Sequence, residues 1–153
     1  SRGLGDVYKR QSLKDVCGDI HLKTILEIGE LKTYENIKKA SVIALCAGSD
    51  FIKTSTGKIS NGSSREACLV MARTVREFQS YGYGMRGIKV AGGIRSSKDA
   101  IRYLVIINEE LGSSWLSPDY FRFGASSLLD DVLRQIKKLK TNAYQSSYYF
   151  PRG

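Results

Sequence analysis

The 153 residues are 42% hydrophobic and 25% charged, enough apolar material for one packed domain. No run approaches the roughly 18 apolar residues of a membrane span, and no secretory leader opens the chain, so a soluble, cytoplasmic protein without a membrane partner is expected. The net charge of +9 admits a polyanion partner. However, the basic residues are scattered except for Lys137, Lys138 and Lys140, which read as a solvated helix face, and a positive field equally concentrates small anions. No nucleic-acid partner is expected. Cys17, Cys46 and Cys68 lie 29 and 22 residues apart with one histidine, His21, in the chain, which excludes a zinc or disulfide framework and leaves three small buried hydrophobes.

Residues 1–11, SRGLGDVYKRQ, show neither helical nor strand periodicity and carry no initiator Met. They resemble a translated adapter segment of non-native origin and are set aside. From residue 12 the chain reads as strand and helix units in alternation. Leu22 to Ile28 is a strand. Thr33 caps a helix with Ile37, Ala40, Ser41, Ala44 and Leu45 on one face, stopped by Gly48. Phe51 to Thr54 is a second strand, and Ser63 with Glu66 forms a capping box before Ala67, Val70, Met71, Thr74 and Phe78. Gly87 to Ala91 is a third strand, followed by the Gly92-Gly93 loop and a helix from Ser96 or Ser97 carrying Ala100, Ile101, Leu104 and Val105. Tyr120 to Phe123 is a fourth, followed by a helix from Ser127 with Leu128, Leu129, Val132, Leu133, Ile136 and Leu139 on one face. A tail follows from residue 142.

Strand starts near residues 22, 51, 87 and 120 recur every 29 to 36 residues, the length of a βα unit in a parallel sheet. Such units build a doubly wound sheet or a barrel. The residues of chemical interest gather at the C-terminal ends of strands, which favours a (β/α)8 barrel, of which four units are half.

The stretch FIKTSTGK (Phe51–Lys58) places a lysine, Lys53, at the end of an apolar strand. It is not a phosphate-binding P-loop, because Ile52 stands where a glycine is needed and Ile59 where a hydroxyl is needed. Lys89 occupies the equivalent place one unit later. Adjacent strands are about 4.8 Å apart. At roughly 5 Å and an effective dielectric of about 20, two ammonium groups repel by about 3 kcal/mol, enough to leave one amine uncharged near neutral pH. An uncharged lysine attacks carbonyls and forms a Schiff base that serves as an electron sink. On spacing alone, two exposed lysines capping strands are the better account of the pattern. The loops add weight: Gly92-Gly93 and Gly124-Ala125-Ser126-Ser127 each present backbone N–H groups at a helix N-terminus, an anion site that Arg95 and the two hydroxyls can strengthen.

The strings LEIGELKT, AGSDFIKTSTGK, GIKVAGGIRSSKDA and FRFGASSLL, in this order and spacing, resemble the C-terminal half of the 2-deoxyribose-5-phosphate aldolases, class I aldolases of (β/α)8 fold. The resemblance runs from about Leu13 to the C-terminus. It implies that Lys53 is the Schiff-base lysine and Lys89 the second lysine that favours its uncharged form. It further implies that Gly57, Lys58, Gly92, Gly93, Ile94, Arg95, Gly124, Ser126 and Ser127 bind the phosphate of the substrate. The implied reaction is reversible cleavage of 2-deoxy-D-ribose 5-phosphate to D-glyceraldehyde 3-phosphate and acetaldehyde, in deoxynucleoside catabolism, with no metal or organic cofactor.

Three departures accompany the resemblance. Val90 stands where the family usually has proline. The tail offers Tyr148 or Tyr149 for the proton transfer that a C-terminal tyrosine assists in the family. The family's relay aspartate lies on a strand before Leu22, and neither Asp50 nor Glu27 matches it. The expectation is therefore a half barrel covering residues 12–141, with two open sheet edges that favour a homo-oligomer. Two further readings stand beside it: an impaired fragment that binds polyanions or self-associates, and another Schiff-base aldolase on the same fold.

Overall fold

The computed structural model describes residues 2–58, 62–146, 149 and 150. Helix α1 spans Arg2–Cys17. Four strand and helix units follow: β1 Lys23–Ile25 with α2 Ile28–Leu31 and α3 Tyr34–Cys46; β2 Phe51–Lys53 with α4 Arg65–Ser80; β3 Gly87–Ala91 with α5 Ser97–Leu111; and β4 Phe121–Gly124 with α6 Leu128–Thr141. The strands form one parallel sheet in the order β1-β2-β3-β4, so each unit lies beside the next. Among the described residues β1 and β4 are open edges.

Period-two alternation sends Thr24, Ile52, Thr54, Ile88, Val90 and Phe121 to the helix side, where all are buried. Ile52, Ile88, Val90 and Phe121 meet Ala44 and Leu45 of α3, Met71 and Val75 of α4 and Ile107 of α5 in one apolar cluster. Each fully buried aliphatic side chain contributes about 1.5–3 kcal/mol. Thr33 caps α3 as the sequence predicts, and of the two serines left open for the start of α5 it is Ser96 that caps it, their hydroxyls accepting from Asn36 N and Asp99 N. The hydroxyl that caps α4 belongs to Ser64, which accepts from Ala67 N, and not to Ser63. Ser63 is diverted because its hydroxyl donates to the Gly92 carbonyl 2.7 Å away.

Four expectations are corrected here. Residues 2–11, set aside as aperiodic, begin α1, which holds the domain through its far end. The first strand stops at Ile25 because Glu27 turns left-handed (φ 53°), although Leu26 N and Ile28 N still donate to Lys53 O and Thr54 O. Ile101 and Val105 of α5, and Leu129, Ile136 and Leu139 of α6, are exposed; Tyr103 takes the inward place in α5, and Leu128 is buried as expected. Helix α6 follows the edge strand, so much of its apolar stripe has no neighbour to meet. Of the cysteines only Cys68 is buried, which pushes its thiol up to about 12, whereas Cys46 ends α3 in solvent.

Asp50, just before β2, ties α1 to the sheet. Its Oδ2 accepts from Lys14 Nζ at 2.9 Å and from Leu22 N at 2.8 Å, and Lys14 also donates to the Gly18 and Ile20 carbonyls. Burial alone would raise this carboxyl, but Lys14 and the Leu22 N–H outweigh it and hold it below the usual carboxylate range. The carboxylate therefore contributes stability above its unfolded-state pKa, and that contribution is lost as pH falls through the lowered folded value. Asp50→Asn should cost about 1–3 kcal/mol in urea unfolding at neutral pH, with the difference from the parent shrinking toward strongly acid pH.

Candidate functional site

The face of the sheet turned away from the helices is built differently. Register pairs Ile25 with Lys53, Lys53 with Lys89, and Lys89 with Arg122. Two lysines and an arginine thus stand in one row on three neighbouring strands, and Lys23 lies on the same face one step nearer the N-terminal ends. Both Lys53 and Lys89 are half-buried. The strands bring them side by side because the two βα units enter the sheet without a slip, Phe51 opposite Gly87.

Phe51 forms the floor beneath this row. Its ring lies where a Cβ on Gly87 would stand, 2.3 Å from that position, so only glycine admits it. Lys23 Nζ sits 5.0 Å and the Arg122 guanidinium 5.8 Å from the ring centroid, each gaining from the π face. Arg122 is turned down by its 2.7 Å bond to the Pro118 carbonyl. Burial, then Arg122 and Lys89, hold the Lys23 ammonium below the ordinary lysine range. Lys23 and Arg122 were missed in the sequence, although alternation with Lys53 and Lys89 marks both for this face.

Beyond the C-terminal ends of β2, β3 and β4 lies a cleft of about 380 Å³. It is lined by Thr56 and Gly57, by Gly92 to Arg95, and by Gly124 to Ser127. Of the residues anticipated for anion binding, Gly57, Gly92, Gly93, Ile94, Arg95, Gly124, Ser126 and Ser127 meet here, joined by Thr56 and Ala125. Ile94 is mostly buried, so its contribution is backbone. Lys58 does not line the cleft; its backbone N donates to the Thr56 hydroxyl. Tyr149 packs on Phe150 and near Lys137 of α6, and Tyr148 lies outside the described residues.

Hydroxyls stitch the first two loops together. Thr54 Oγ1 donates to the Ala91 carbonyl and accepts from Ala91 N, and Ser55 also donates to that carbonyl. Ser63 N and Oγ donate to Gly92 O, and Tyr103 supports Ser63 from α5. The close approach needs Gly92, where a Cβ would lie 2.9 Å from both Gly62 Cα and Ser55 Oγ. At the start of α5 the Ser97 N–H and hydroxyl both donate to Asp131 at 2.6 Å, bonds that hold this carboxyl below the usual range. Ser127 makes no side-chain capping bond to α6. The arrangement offers an anion cleft above a pair of amines.

Gly124 links the two parts, since a Cβ there would stand 2.9 Å from Ala91 Cβ and 3.2 Å from Lys89 Cε. Gly124→Ala should displace the Lys89 stem and cost about 1–3 kcal/mol by overpacking. Amine-reactivity mapping should show Lys89 altered far more than Lys53.

The family model for the DeoC/LacD family aldolases matches residues 8–134. The human deoxyribose-phosphate aldolase is 48% identical over 141 residues, covering 92% of this chain and 44% of the human protein. The apo structure of a candidate deoxyribose-phosphate aldolase from Toxoplasma gondii superposes with a TM-score of 0.76 at 26% identity, over 84% of this chain and 50% of that one. The deoxyribose phosphate aldolase of Aeropyrum pernix, described as a tetramer, shares the fold at a TM-score of 0.60 and 23% identity, over 90% and 50% of the two chains. The chain thus spans about half the length of the relatives it matches, and its four βα units are half of a (β/α)8 barrel. On the strength of the family match and the human relative, this chain belongs to the DeoC/LacD aldolase family.

Proposed function

We propose that this chain carries the Schiff-base lysine and the phosphate loops of a deoxyribose-phosphate aldolase. The observation that carries the reading is the direct register of Lys53 with Lys89 on the polar face of the sheet, below a cleft of glycine and serine donors. Lys53 Nζ adds to C1 of open-chain 2-deoxyribose 5-phosphate, and loss of water gives the imine. The C3 hydroxyl then loses its proton, the C2–C3 bond breaks, and its electron pair passes into the iminium as an enamine. D-glyceraldehyde 3-phosphate leaves, and protonation at C2 followed by hydrolysis returns acetaldehyde and the free amine. Lys89 is the group best placed to exchange protons with Lys53. The substrate phosphate takes the Gly92 to Arg95 and Gly124 to Ser127 donors, and a homo-oligomer is part of the reading, supported by the two open edges and readable by sedimentation.

Borohydride with acetaldehyde should fix a stable ethyl adduct on Lys53, read by peptide mass; the same adduct on Lys89 would reverse the two roles. Arg95→Met, or Ser126 and Ser127 to Ala, should raise KM for the phosphorylated sugar about tenfold to a hundredfold while leaving unphosphorylated 2-deoxyribose nearly unchanged. Equal losses on both sugars would show that the donors hold the loops and not the phosphate.

A further inference from the structure

Glu27 is one of three described non-glycine residues with positive φ, at φ 53° and ψ 64°. A glutamate gains nothing locally from the left-handed region, and such outliers persist where the surroundings over-determine them. Here they do. On one side Leu26 N donates to Lys53 O, on the other Ile28 N donates to Thr54 O, both at 2.9 Å, so the backbone of Glu27 is pinned along the exit of β2. The turn between these bonds aims the side chain at the next loop. Its two carboxylate oxygens lie 3.1 and 3.3 Å from the backbone N of Thr56.

Thr56 is the corner of that loop. Its N–H is held by Glu27, its hydroxyl accepts from Lys58 N, Gly57 follows at φ 83°, and both Thr56 and Gly57 line the cleft. Thr54 and Ser55 are fixed to Ala91 from the other side. Without Glu27, nothing among the described contacts holds the backbone N–H of Thr56.

We propose that Glu27 is a positioning residue, whose left-handed backbone and charged carboxylate clamp the Thr56 N–H and so fix the loop that follows Lys53 against the anion cleft. The proposal rests on the phosphate reading of that cleft. A charge-assisted bond to a backbone N–H is among the stronger hydrogen bonds, and its geometry is set by the strained residue itself.

The discriminating variant is Glu27→Gly, because glycine accepts the left-handed backbone freely and removes the carboxylate alone. In this chain Glu27→Gly should keep or raise the melting temperature, speed amide exchange at Thr56 at least about tenfold, and weaken inorganic phosphate binding, titrated by NMR, by about tenfold. Glu27→Gln, which keeps an acceptor oxygen, should recover part of both losses. Parent-like Thr56 exchange, or phosphate affinity unchanged or tighter in Glu27→Gly, would overturn the proposal. Failure of the parent chain to bind phosphate would instead overturn the reading of the cleft, and the Thr56 exchange rates would still report separately whether Glu27 holds the loop.

Discussion

The organisation of this chain turns on positive charge placed on one face of a short parallel sheet. Lys53, Lys89 and Arg122 share a row, and Lys23 lies just below it. Cations crowded in this way repel, and the lowered Lys23 shows that repulsion together with burial. Packing on the other face keeps them together, because Ile52, Ile88 and Val90 are buried completely under α3, α4 and α5. The apolar face fixes the register, and the register fixes the distance between amines. Phe51 closes the floor and draws Lys23 and Arg122 toward its ring, while Lys53 and Lys89 stand paired in register one step nearer the C-terminal ends of their strands.

The second constraint is the joining of loops. Thr54, Ser55 and Ser63 spend their hydroxyls on the carbonyls of Ala91 and Gly92, so the segments after β2 and β3 behave as one piece. The loop after β4 is joined at Gly124 and through Asp131, which holds the start of α5 from α6. These bonds hold the loops that line the cleft in place, and on the proposed phosphate reading that lowers the ordering cost of binding. The polar residues of KTSTG thus divide their places: Lys53, proposed as the reactive amine, ends the strand, Thr54 and Ser55 tie the loop to Ala91, and Thr56 and Gly57 line the cleft.

Much of this was legible in the sequence. Strand spacing, the glycine loops, the cap at Thr33 and the helix start at Ser96 or Ser97 depend on local chemistry and were found in place. So was the pairing of Lys53 with Lys89, since both end apolar strands in consecutive units. What escaped depends on neighbours. Ile101, Val105 and Leu139 repeat at helical spacing like core residues, yet periodicity marks a face and not what covers it. Ser63 and Ser64 are both good caps, and the nearby Gly92 carbonyl decided between them. Glu27 sits in a run of strand formers, and the left-handed turn that ends β1 is tied to a hydrogen bond 29 residues away. Thr56 escaped because the second threonine of KTSTG gives no local sign that it lines the cleft and not the core.

The central claim is that Lys53 and Lys89 stand side by side on one face of the sheet. It is tested most directly by a bis-electrophile short enough to join amines on adjacent strands, which lie about 4.8 Å apart. Digestion and peptide mass analysis after brief treatment of the folded chain should recover the peptides that contain FIKTSTGK and GIKVAGGIR joined through Lys53 and Lys89, and denaturation before treatment should abolish that species. Recovery of both lysines singly modified with no bridge between them would contradict the account.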